Sequence, residues 1–162
     1  MTTTTRNRTR ITAEPGKLEV RIERTFDAPP ELVFKAFIDP DLVKQWLGPR
    51  KYTMVLDKYE ARKGGIWRFI HKDATSEHSF NGVFHEIVPP IRIVRTFEYE
   101  GYPGHVQMET ARFEPEGDKT RVISQSVFQS VDDRDGMLQN GMEEGVNEGN
   151  ERLDELLKRL QS

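Results

Sequence analysis

The sequence predicts an α+β fold in which one long C-terminal helix lies across a curved antiparallel sheet. Three observations carry that reading. Between Leu18 and Phe128, short runs alternate apolar and polar residues with a period of two, the mark of strands with one buried face. The runs are joined by short stretches rich in Gly, Pro, Asp and Ser, which is turn composition. Beyond Asp132 the apolar residues recur every three or four positions, the period of an amphipathic helix.

Residues 1–16 are rich in Thr and Arg and poor in apolar side chains, so a flexible tail is expected there, with a single domain over residues 17–162. Leu18, Val20 and Ile22 alternate with Glu19, Arg21 and Glu23 in a first strand. Asp27 then supplies a capping carboxylate, and Pro29 and Pro30 suit the first turn of a short helix ending near Asp39. Asp39 and Pro40 repeat the signal. Leu42, Val43, Trp46 and Leu47 fall at helical spacing until Gly48 and Pro49 end a second short helix. Six further runs follow, YTMVLDKYE, IWRFIHK, FNGVFHEIV, IRIVRTFEYE, VQMETARFEP and TRVISQSVF. With the first strand they make a meander of about seven, near the size at which an open twisted sheet curls.

The C-terminal helix is expected to run unbroken past Asp132, with Leu138, Met142, Val146, Leu153, Leu156, Leu157 and Leu160 on its apolar face. Glu148 with Arg152, Asp154 with Lys158 and Glu155 with Arg159 are spaced to pair along its wet face, contributing a few tenths of a kcal/mol each. Gly141, Gly145 and Gly149 interrupt this pattern at intervals of four, and each costs about 1 kcal/mol against alanine inside a helix. Spacing of four puts them on one stripe beside the apolar line. Either a neighbouring backbone approaches that stripe or a cavity opens beneath it. Asn150 continues the Leu138, Met142, Val146 line, where a buried amide needs partners.

Composition excludes several kinds of function. The chain has 162 residues and no cysteine, so disulfides, thiolate metal sites and cysteine nucleophiles are ruled out, and a reducing, cytoplasmic address fits. Lys and Arg total 24 against 27 Asp and Glu, a net charge of -3 that gives no footprint for nucleic acid. No apolar run reaches the ~20 residues of a membrane span, and the first residues lack a secretory leader. His71, His78 and His85 are spaced by seven without the short-range pairs typical of a metal site, and no phosphate-binding glycine loop or nucleophile elbow occurs. No metal or cofactor is therefore expected.

The order of motifs carries a resemblance. DAPPELVFKAFIDPDLVKQWLGP, then NGVFHEIVPPIRIVRTF, then DRDGMLQNGMEEGVNEGNERLDELL resembles the bacterial members of the activator-of-heat-shock-protein-ATPase homologue family, within the START-like, birch-pollen-allergen-like superfamily. It covers residues 18–160, and it implies the helix-grip architecture already reached from the residues. For function it implies a binder of a small hydrophobic or aromatic molecule, as in the wider superfamily. The alternatives are an enzyme similar to polyketide cyclases and aromatases, or a co-chaperone.

For a binding module the expected walls are Trp46, Trp67, Phe69, Phe84, Phe97, Met108, Met142 and Val146, with His71 and Asn150 orienting the ligand. Alternation puts Trp67, Phe69 and His71 on one strand face and Phe80, Gly82, Phe84 and Glu86 on the next. His71 and Glu86 would thus enter the interior together and are the acid/base pair of the enzyme reading. The plainer alternative is that Glu86 pairs with an arginine such as Arg68. A small hydrophobic molecule is the expected partner, and a homodimer is compatible with the sequence.

Overall fold

The computed structural model describes residues 8–162. Among them, eight strands form one antiparallel sheet in the order β1-β2-β8-β7-β6-β5-β4-β3. The strands are β1 (Arg10–Thr12), β2 (Glu19–Phe26), β3 (Thr53–Tyr59), β4 (Ile66–Lys72), β5 (Glu77–Val88), β6 (Arg92–Tyr99), β7 (Val106–Glu116) and β8 (Lys119–Val127). Strands β3 to β8 are a meander of neighbours. The chain reaches it from β2, at the other side of the sheet, through α1 (Pro30–Ile38) and α2 (Pro40–Trp46). No described helix is long and apolar enough to cross a membrane.

The eighth strand comes from the segment expected to be tail. Residues 1–7 lie outside the described residues, but Arg10, Ile11 and Thr12 pair with Glu23, Ile22 and Arg21 of β2. An edge strand presents a row of unsatisfied backbone groups, and a short segment docks there through its own backbone without an apolar surface.

Of the two expected helix caps, one forms. Asp39 accepts a hydrogen bond from the Asp41 backbone N–H at 2.9 Å and caps α2. Asp27 does not cap α1, whose cap position is Pro29 with Pro30 in the first turn, where a missing N–H costs no bond. The two helices are locked by Trp46, whose indole N–H donates to the Ala36 carbonyl at 2.8 Å. Phe34 and Phe37 then reach Phe113 of β7, with ring centroids 5.1 and 5.0 Å apart.

The expected single C-terminal helix is two, α3 (Val131–Gln139) and α4 (Met142–Leu160). Gly141 between them has φ of 81°, the left-handed conformation that ends helices and that glycine adopts without a Cβ penalty. The glycine stripe inside a helix is therefore Gly145 and Gly149 only. The salt bridges on α4 differ as well. Asp154 binds Arg24 of β2, Glu155 binds Arg50, and Arg152 donates to the Gly48 and Gln45 carbonyls at 2.8 and 3.0 Å. Tertiary partners on both flanks win over the i,i+4 neighbours, whose exposed pairing is worth only a few tenths of a kcal/mol.

Leu153, Leu156 and Leu157 of α4 close the core against Val33, Phe34, Phe84 and Phe113. Each fully buried side chain of this size contributes roughly 1.5–3 kcal/mol relative to exposure.

Candidate ligand cavity

Towards its N-terminus α4 carries no such plug. Between its first half and the inner face of the sheet lies a cavity of about 480 Å³. Its ceiling is Met142, Gly145, Val146, Gly149 and Asn150, joined by Met137 of α3. The two glycines divide the alternatives that the sequence leaves open. A Cβ on Gly149 would lie 3.6 Å from the Trp46 carbonyl oxygen and 3.7 Å from the Gly48 nitrogen, so the helix approaches a backbone there. A Cβ on Gly145 would meet nothing within 4 Å, so the space below it is open.

Aromatic rings form much of the floor. Phe80, Phe84 and Phe97 project from β5 and β6, and Trp46 and Phe37 close one end. Phe80 and Phe97 are 5.3 Å apart at their centroids, and Phe37 and Trp46 are 4.8 Å apart. Ser124 and Ser126, short residues on the inward face of β8, leave depth at the other side.

His71 stands where the floor meets the α2–β3 loop. It is only 7 % exposed, stacks nearly parallel on Tyr52 at 5.7 Å and touches Phe69 and Phe80. Its Nε2 has no hydrogen-bond partner among the described residues. Gly48, with φ of 96°, lies against it, and a Cβ there would fall 2.4 Å from Cε1. Burial pushes the His71 pKa down to about 4, with the Leu47 backbone opposing that and Arg152 and His78 adding to it. The imidazole is neutral at physiological pH.

Two ion pairs sit in the walls. Arg24 grips Asp154 with both terminal nitrogens, at 2.7 and 2.6 Å. Arg95 donates its Nε–H to Glu109 at 3.0 Å, while its guanidinium lies 4.4 Å above the Trp67 ring. Glu109 also accepts from the Gln107 amide at 2.9 Å.

Of the residues expected in the site, Trp46, His71, Phe84, Phe97, Met142, Val146 and Asn150 line the cavity. Asn150 is half-buried, and its amide donates to the Thr9 hydroxyl at 3.0 Å. Trp67 and Phe69 share the inward face of β4 with His71, as alternation requires, but lie buried one layer behind the cavity surface.

Met108 and Glu86 are corrections. Met108 is 41 % exposed on the outer face of β7, whose inward positions are Gln107, Glu109, Ala111 and Phe113. Polar residues face in because this part of the interior is a polar wall, so hydropathy points to the wrong parity. The Glu86 side chain is 45 % exposed and binds Arg92 at 2.7 Å, not Arg68. A β-bulge between Phe84 and Glu86 adds one residue to β5 and turns the carboxylate out of the interior. His71 and Glu86 therefore do not form a pair.

Arg95, Glu109, Tyr52 and Met137 are cavity residues that sequence reasoning missed. The first two are cross-strand partners in the register of β6 on β7. Counting back from the Gly101–Gly104 turn to facing opposite charges was the available signal.

Comparison with known proteins agrees with this architecture. The family model described as Activator of Hsp90 ATPase homolog 1-like protein matches residues 27–158. A protein from Rhodobacter sphaeroides superposes with a TM-score of 0.84 at 24 % identity, covering 93 % of this chain and 99 % of that one. One from Arthrobacter aurescens gives 0.85 at 24 % identity, over 93 % of this chain and 91 % of that one. A Silicibacter pomeroyi structure described as an AHSA1 protein gives 0.72 at 22 % identity, over 89 % and 99 %. At these identities the likeness is one of fold. No curated protein matches the sequence.

Proposed function

Because the chain belongs to the family of Activator of Hsp90 ATPase homolog 1-like proteins, with its sheet and helix held apart over the cavity, we propose that it binds a small hydrophobic or aromatic molecule in that space. The observation that carries the reading is the open volume beneath Gly145, facing a floor of Phe80, Phe84 and Phe97. A helix selected for packing alone would place an alanine or leucine there and gain about 1 kcal/mol of helix propensity. The volume of about 480 Å³ falls within the usual range of small-molecule sites.

Binding of this kind needs orientation and exclusion of water, and no covalent chemistry. Apolar walls supply most of the affinity, and the polar groups among them fix the pose. The test is a fluorescence titration with naphthalene and fluorene. Saturable quenching that is largely lost in Trp46→Phe supports the reading. A wide panel of aromatic probes giving no response in the folded protein would overturn it.

A further inference from the structure

The walls of the cavity are not uniformly apolar, and their charges are balanced. Arg24 is neutralised by Asp154 in a two-pronged pair, and Arg95 by Glu109 through Nε alone. The remaining donors of Arg95, on its two Nη atoms, make no hydrogen bond among the described residues. The Arg95 side chain is one-fifth exposed and lines the cavity, and its guanidinium lies over the Trp67 face, which fixes its orientation. Glu109 has both oxygens engaged, one by Arg95 and one by Gln107.

This arrangement discriminates between ligands. A pure hydrocarbon would desolvate the Nη donors and return nothing. A carboxylate would satisfy them but bring an unbalanced negative charge into a region of low dielectric where the arginines are already paired. A neutral carbonyl oxygen accepts the hydrogen bonds and adds no charge. We propose that the cavity selects neutral aromatic molecules bearing a carbonyl oxygen, held by the Nη donors of Arg95. This rests on the ligand-binding reading above and names the ligand class for the same site.

The test compares fluorene, fluoren-9-one and fluorene-9-carboxylate by calorimetric titration. In the wild-type protein the ketone is expected to bind about tenfold or more tightly than fluorene, in line with a hydrogen bond to a charged donor, and more tightly than the carboxylate. In Arg95→Met/Glu109→Gln, which removes both charges together, the ketone-to-hydrocarbon ratio falls to about one. Arg95→Lys, which keeps the charge and loses the planar fork, lowers the ratio severalfold and serves if the double variant does not fold. Equal binding of ketone and fluorene by the wild type, tightest binding of the carboxylate, or a ratio unchanged in a folded variant would overturn this inference alone. Binding of none of the three would overturn the cavity reading and this inference with it.

Discussion

The two halves of α4 face the same sheet and do opposite things with it. The C-terminal half drives Leu153, Leu156 and Leu157 into the core, each at most 2 % exposed. The N-terminal half presents Gly145 over open space and leaves Met142 and Val146 half-buried at the cavity rim. Arg24 to Asp154 and Arg152 to the Gly48 carbonyl tie the helix down near the boundary, so one half can be a plug while the other stays raised. A single helix thus separates stability from site, and substitutions in the two halves should separate in the same way.

The largest effect is expected in the plug. Leu153→Ala should cost about 2–5 kcal/mol in urea or thermal unfolding and leave the affinity for fluorene within a few-fold. A comparable loss of affinity would mean that the two halves are not independent.

His71 links the site to pH. Its folded pKa of about 4 lies below the ordinary 6.5. Above pH 6.5 it is neutral in both states and contributes no pH dependence. As pH falls from 6.5 towards 4, the unfolded chain takes the proton first, and stability is lost by up to about 1.4 kcal/mol per unit, roughly 3 kcal/mol in all. Urea unfolding of wild type and His71→Leu at pH 7 and pH 4.5 reads this as a difference that shifts in favour of the variant at the lower pH. Taking the difference cancels the carboxylates, such as Glu23 and Glu100, whose pKa values are lowered by arginine partners.

Gly48→Ala places a side chain against His71 in a left-handed backbone and should cost about 2 kcal/mol, visible as a lowered Tm. The smallest effect on stability has the opposite sign. Gly145→Ala, entering open space inside a helix, should stabilise by up to about 1 kcal/mol. Gly145→Leu should keep the fold while removing fluorene binding by filling the cavity. Wild-type affinity in a folded Gly145→Leu would show that the probe binds elsewhere.

Much of the fold was legible because it rests on periodicity. The alternation in β2 and β4, the Asp39 cap and the inward face of Trp67, Phe69 and His71 follow from local chemistry. What escaped was set by single-residue events or by backbone alone. A one-residue bulge in β5 reversed Glu86, and three backbone-paired residues made β1 out of a segment with tail composition. Asn140-Gly141 is a helix-ending signal, yet the Leu138, Met142, Val146 spacing runs straight through it. The inward polar set of β7, Gln107 and Glu109, was hidden because hydropathy assigns parity by apolar residues, and here the interior wall is charged. The site was therefore less legible than the core.

The division of labour along α4 is tested most directly by intermolecular NOEs from bound fluorene to the methyl groups of the protein. Contacts to Met142 and Val146, with none to Leu156 or Leu157, are predicted. Contacts to Met108 on the outer face of the sheet, or none to Met142 and Val146 at saturating probe, would contradict it.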